Sequence, residues 1–269
     1  MTDATYTDLE VSDRDAIRCL MLNRPQSKNG LTIELCSAII QALDEAGRDP
    51  AVRTVVLTGR GESFCSGLDL KAAVALVQSL QNSGEGGGPS DQLLRERFHG
   101  MIRAVRRVEK PVVALLDGPA VGFGCDLALA CDLRFGTARA SFGEVFVKRG
   151  LMPDGGGSYS LPRLIGVSKA LEMMLLGDMV GAEEAARLGL LNRIVADTES
   201  AWELLRRLAA GPPLVMSAIK RAVYAALSSS FDAALEVEVV EQTRLLRTND
   251  CAEGMSAFFQ KRPPQFTGT

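Results

Sequence analysis

The sequence predicts an α/β protein whose last third is helical. Up to about residue 160, short apolar runs of strand length alternate with segments of helical spacing. Beyond that point nearly every segment has the helical period. Glycine-containing turns join apolar strands to following helices, the layout of a sheet covered by helices. We place a boundary between a core over 1–197 and a helical region over 198–269.

The elements follow in order. "AIRCLMLN" (16–23) reads as a strand ended by Asn23-Arg24-Pro25. The segment 32–49 carries Leu35, Ile39, Ile40 and Leu43 at helical spacing, with Thr32 as its N-cap. "TVVLTG" (54–59) is a short buried strand, and a helix begins near Asp69. The glycine- and serine-rich stretch 81–91 reads as a mobile surface loop inside the domain. An amphipathic helix over 92–108 leads to a strand over 111–118 and a glycine-opened buried helix over 122–132. "LRFGT" and "ASF" read as short strands. Helices are expected over 167–177, 181–188, 198–210, 212–228, 231–248 and 250–260, interrupted by an extended 191–195.

Composition narrows the function. The chain has 269 residues, 46% hydrophobic and 23% charged, enough for a sizeable core. A formal charge of −3 provides no net basic field for nucleic acid. The cysteines at 19, 36, 65, 125, 131 and 251 form no CxxC pair and read as free thiols of a reducing compartment. The polar start "MTDATYTDLEV" is not a signal peptide, and no apolar run reaches the ~18 residues of a membrane span. A soluble cytoplasmic protein is the expectation. His99 is the one histidine, so a multi-histidine metal site is excluded and a Ser-His-Asp triad gains no support. It lies in the charged helical stretch "RERFHGMIRAVRRVEK" and reads as solvated or lightly packed. Acid–base chemistry then falls to carboxylates. No GxxxxGK[ST] loop is present, and "GFG" lacks the third glycine of a dinucleotide fingerprint.

Three stretches repeat a strand–glycine turn–helix layout: 54–70, 111–127 and 150–161. Helix N-termini expose backbone N–H groups at the positive end of the dipole. Two such ends can converge on one oxygen and stabilise an oxyanion. In the third turn, "GLMPDGGG" (150–157), Asp154 has two readings. It caps the helix that starts after 155, or it is a carboxylate held over a reacting carbon.

The motifs resemble those of the crotonase (enoyl-CoA hydratase/isomerase) superfamily. "FCSGLDL" is similar to its F-C-A-G-x-D-L signature. "KPVVALLDGPAVGFGCDLALACDLRF" resembles its K-P-x-I-A-x-x-x-G-x-A-x-G-G-G-x-x-L-A-x-x-C-D stretch. "LNRPQSKNGLT", "SLPRLIG", "LGLLNRIV" and the tail "EGMSAFFQKRPPQFTG" also match, so the resemblance runs in order from about 16 to 268.

The resemblance implies a crotonase-like spiral of ββα units, with the C-terminal helices building a trimer or a hexamer of two trimers and closing the active site. It implies an acyl-CoA substrate, with CoA part of the substrate rather than a cofactor, and no metal. The backbone N–H groups of Leu68 and Phe123 match the family's oxyanion hole, supported by Gly67 and Gly122. The phenyl group of Phe123, where the family usually has glycine, either narrows the acyl site or points away. Lys28, Ser66, Leu68, Asp69 and Lys71 match CoA-binding positions. Phe258 and Lys261 match a pair that reaches a neighbouring subunit's site.

Reaction type depends on the carboxylates. Of the two glutamates of the family's hydratases, the first matches Asp126 and the second matches Phe146, which cannot move a proton. Glu144 lies two residues away and shares that face only if the segment is extended. Several double-bond isomerases of the family carry an aspartate in G-L-x-P-D, the place of Asp154. The resemblance therefore favours a Δ3-to-Δ2 enoyl-CoA isomerase with Asp154 as base and Asp126 tuning it. A structural alternative for Asp126 is a buried carboxylate bonded to backbone N–H groups. A hydratase with a rearranged acid pair and a non-catalytic acyl-CoA-binding homologue are the competing functions.

Overall fold

The computed structural model describes residues 6–69 and 92–269, together with Lys71, Val74 and Gln78. The loop expected over 81–91 lies outside the described residues. Strands β1 (Leu9–Arg14) and β2 (Ile17–Leu22) form an antiparallel hairpin, and helix α1 (Ile33–Arg48) follows. Next come β3 (Thr54–Gly59), α2 (His99–Arg107), β4 (Val112–Leu116), β5 (Pro119–Val121) and α3 (Phe123–Ala130). Then follow β6 (Leu133–Gly136), β7 (Ser141–Gly143), α4 (Gly157–Ile165) and α5 (Val167–Leu176). The chain continues through β8 (Val180–Gly181), α6 (Ala182–Leu188) and β9 (Arg193–Ile194). Helices α7 (Ser200–Ala209), α8 (Pro213–Ala226), α9 (Phe231–Leu245) and α10 (Asn249–Phe259) complete it.

The main sheet has the order β1-β2-β3-β4-β6-β9 and is parallel except for the first hairpin. A smaller sheet, β5-β7-β8, stands beside it. Side chains alternate across each strand. Leu20, Leu22, Val55, Leu57, Val112 and Ala114 face the large core with α1, α2 and α3. Ile17, Cys19, Val56, Val113, Leu115 and Phe135 face the other way, where α7 covers them with Ala201 and Leu205. Both faces of the sheet are covered, as its near-continuous apolar strands require.

The Thr32 hydroxyl accepts the Leu35 N–H at 3.2 Å and caps α1, as its sequence position suggests. Thr32→Ala should cost about 1 kcal/mol, read from urea unfolding. Three differences from the sequence reading bear on the site. The polar stretch 9–14 is an edge strand, with Leu9 buried, Val11 partly packed on the core and the other four side chains exposed. The apolar run after 111 is two strands, broken where Gly118 lets the backbone pass against Glu62. Asp154 does not cap a helix: the N-cap of α4 is Gly156, in a left-handed conformation, with no side-chain cap bond.

Candidate active site

The site is built where the turn after β3 meets the turn after β5. The segment 27–31 runs beside 66–69: Ser66 N–H donates to Lys28 O, Leu31 N–H to Gly67 O, and Asp69 N–H to Leu31 O. This parallel bridge uses the peptide groups on either side of Leu68 and leaves the Leu68 N–H facing away from it. The other wall is α3. Phe123 is its first residue, and the first N–H groups of a helix have no partner within it. Among the described residues neither N–H donates to a protein acceptor.

The two turns touch through glycines. Val121 N–H donates to Cys65 O at 2.9 Å. Gly67 has φ +91°, and a Cβ built on it would lie 2.8 Å from Val121 O and 3.2 Å from Phe123 N. A Cβ on Gly124 would fall 2.3 Å from Cys65 O. Gly122, at φ 54° and ψ −126°, opens α3 in a conformation that other residues rarely adopt. The two N–H groups are thus brought together, that of Phe123 at the positive dipole end of α3, an arrangement able to stabilise an oxyanion. The Phe123 side chain is 3% exposed and stacks edge-to-face on Phe98 at 5.6 Å, so it points into the core.

The sequence-predicted ligand residues are distributed unevenly. Lys28 and Lys71 are exposed near the Ser66–Asp69 turn. The Ser66 hydroxyl donates to Ser27 O. The Asp69 carboxylate takes an Arg24 guanidinium at 3.1 Å and the Lys71 N–H at 3.0 Å, which gives it a structural task. The Phe146 ring stands over Gly122, 3.8 Å from a Cβ built there. Phe258, 79% exposed, and Lys261 lie at the end of α10 on the surface of the single chain.

Three carboxyl groups lie around the turn 154–157. Asp126, in the first turn of α3, is 1% exposed and accepts the Gly155 N–H at 2.8 Å through Oδ2. That bond ties the turn carrying Asp154 to α3. Glu144 follows β7 and is 0% exposed. Gly122 N–H donates to Gly143 O at 2.7 Å and anchors Glu144 against the same turn. Asp126 Oδ1 and both Glu144 oxygens are buried without a hydrogen-bond partner. A Cβ on Gly157 would lie 2.3 Å from Asp126 Oδ1 and 3.1 Å from Glu144 Oε1, so both groups press on one point. Asp154, by contrast, is exposed.

Electrostatics separates the three. Burial first, then the Glu144 charge, pushes Asp126 well above the carboxylate range, against the pull of the Gly155 N–H. Burial also pushes Glu144 up to about 7, with Asp154 adding to it and the Cys125 thiol opposing. Asp154 is raised more modestly, by the protein atoms around it, while a charged His99 pulls it down. Asp154 is therefore reachable by solvent yet flanked by protein atoms. His99, half-buried at the start of α2 beside the packed Phe98, reaches the site's electrostatics, which its charged stretch of sequence did not suggest.

Glu144 is the residue that sequence reasoning left open. The signal was an acid between "SFG" and "VF", but its depth depends on the bond from Gly122 to Gly143. Because its folded-state value exceeds the ordinary one, the folded protein holds a proton that the unfolded chain releases. The stability linked to Glu144 is present below pH ~4 and is lost as pH rises through about 7. Glu144→Gln should gain up to about 3 kcal/mol over wild type at about pH 8 and little at about pH 4, read from urea unfolding at both.

A cavity of about 500 Å³ lies between β6, β9 and α7, lined by Leu133, Phe135, Arg193 and Leu208. It is lined by neither oxyanion turn nor carboxylates and takes no part in this chemistry. All six cysteines are unpaired thiols. Among the described residues no cluster fit for a metal ion occurs, and no helix is long and apolar enough to cross a membrane.

The fold is that of a class of acyl-CoA enzymes. The enoyl-CoA hydratase/isomerase family model matches residues 13–269, and the chain belongs to that family, within the crotonase superfamily. A probable enoyl-CoA hydratase of Rhodobacter capsulatus is 36% identical, covering 98% of this chain and 99% of that one. The 1,2-epoxyphenylacetyl-CoA isomerase of Escherichia coli is 35% identical, covering 94% and 95%. The crystal structure of a putative enoyl-CoA hydratase from Streptomyces coelicolor superposes with TM-score 0.91 at 34% identity, covering 100% and 97%.

Proposed function

We infer that the protein is an enoyl-CoA isomerase that moves a C=C bond from C3 to C2 of an acyl-CoA thioester. The observation that carries this is the accessibility of the acids. Asp126 and Glu144 are sealed, Phe146 occupies the place of a second hydratase acid, and Asp154 is the one acid of the cluster open to a substrate. Managing a water between two acids needs two that can touch it. Moving a proton along one face of a chain needs one.

In this reading the Leu68 and Phe123 N–H groups hold the thioester oxygen. Asp154 takes a proton from C2, and the C2–H electrons form a dienolate whose charge is shared by the thioester oxygen, C2 and C4. The protonated Asp154 then returns its proton to C4, the bond settles between C2 and C3, and the carboxylate is regenerated. Crowding on one side raises Asp154 towards the strength of a useful base. The apolar Phe146 ring excludes water from the dienolate. Lys28, Ser66 and Lys71 lie along the CoA path, while Phe258 and Lys261 serve a neighbouring subunit of a trimer or hexamer. CoA arrives with the substrate, no metal or redox cofactor is called for, and the setting is the cytoplasm.

The hydratase reading is favoured by the names of most relatives, as in the protein from Rhodobacter capsulatus. The isomerase reading is favoured by Asp154 and by the relative from Escherichia coli. Product mass separates them. Given trans-3-enoyl-CoA, the protein should return a 2-enoyl thioester of equal mass. Rapid conversion of trans-2-enoyl-CoA to a product heavier by one water, with no action on the 3-enoyl thioester, would make it a hydratase. Binding of either thioester without turnover would make it a non-catalytic homologue.

A further inference from the structure

The acid pair beneath the Asp154 turn has no task in the reaction above, and its geometry needs an explanation. Buried polar atoms are nearly always partnered, and leaving one unpaired costs ~1–3 kcal/mol. Here three carboxyl oxygens from two residues are sealed and unpartnered, and two of them press on the same point beside Gly157. Two ionised carboxylates there would repel in a low-dielectric interior. One proton held by the pair removes one of the two charges and with it the repulsion.

We propose that Glu144 is a positioning residue: with Asp126 it forms a sealed acid pair that holds one proton and keeps Asp126 neutral, leaving Asp154 the one base at the site. Asp126 in turn holds the Gly155 N–H and so places the Asp154 turn. Its role as support for a base rests on the isomerase reading; the shared proton does not. The groups facing the pair are few. Asp126 faces Glu144 and Asp154, with the Gly155 N–H on its Oδ2 and the Gly157 N–H beside the pair. Glu144 faces Cys125 from α3 and Asp154 from the turn, and Asp154 faces His99 from α2. None of these supplies a cation to the pair itself.

An ionised Glu144 favours the proton on its neighbour Asp126. Removing the Glu144 charge should therefore lower the pH at which Asp126 ionises. An ionised Asp126 would place a second negative charge beside Asp154 and disturb its titration.

Infrared difference titration of the full chain without substrate tests this. The wild type should keep a carboxylic-acid C=O band at about pH 8, where ordinary carboxyl groups are ionised. Asp126→Asn should lose that band. Glu144→Gln should move its midpoint down by about one pH unit or more, and Glu144→Asp should restore part of the shift. Should Glu144→Gln fail to fold, Glu144→Met, of similar volume, gives the same readout. Absence of the band from the wild type, or an unmoved midpoint in the folded variant, overturns the proposal. The pH profile of kcat/KM on trans-3-enoyl-CoA should show the same downward shift of its alkaline limb in Glu144→Gln. Lack of isomerase turnover in the wild type would defeat the isomerase reading while the infrared result still decides the pair.

Discussion

Asp154→Asn is expected to lower kcat for isomerisation of a trans-3-enoyl-CoA by ~10²-fold or more while leaving thioester affinity within a few-fold. Asparagine has the size of aspartate but cannot accept the proton from C2. The turn should survive the change. Its anchor is the Gly155 N–H on Asp126, and the helix that follows is opened by Gly156 without a side-chain cap from Asp154. Stability should therefore change little, and the loss should appear in kcat rather than in KM. In the wild type, activity should fall on acidification as Asp154 takes a proton, with a midpoint above that of an ordinary aspartate, because burial on one side raises it. A variant that turns over like the wild type would remove Asp154 from the chemistry.

Gly67→Ala is expected to lower kcat by ~10²–10³-fold, the range for losing one oxyanion donor. The new methyl group meets Val121 O and Phe123 N, which are backbone atoms and cannot swing aside. The turn after β3 must retreat from α3, and the Leu68 N–H retreats with it. The positive φ adds a strain of ~1–3 kcal/mol. Gly189→Ala separates the two effects: Gly189 also has a positive φ, of +86°, but its nearest contact is an ordinary 3.8 Å. It should cost stability and leave kcat near wild type. Equal losses of kcat in the two variants would mean that strain, not the meeting of the turns, limits activity.

Much of the scaffold was legible in the sequence because local rules agree with the fold. The buried strand "TVVLTG", the Thr32 cap and the glycine turns are each set by residues close in the chain. What stayed hidden depends on distant partners. β1 is an edge strand whose apolar alternation stops after Leu9 and Val11, and its pairing with β2 carries it on to Arg14. The direction of the Phe123 ring is decided by Phe98, 25 positions away on another element. The depth of Glu144 is decided where β7 passes into a short 3₁₀ turn, Val145–Arg149, so neither the extended nor the helical rule applies across it. The role of Asp154 was narrowed by the fold rather than by the sequence, since the cap it seemed suited to form is absent.

The carboxylates at 126 and 154 are chemically alike and opposite in burial, and the central claim is that they divide the work. The most direct test is the isomerisation rate of Asp154→Asn and Asp126→Asn measured side by side, with thioester binding followed in both. Asparagine at 126 resembles the neutral acid held there, so that variant should keep most of its activity. Asparagine at 154 removes the base, so that variant should lose ~10²-fold or more. The reverse ranking, with Asp126→Asn the crippled variant, would contradict the account and make Asp126 the base.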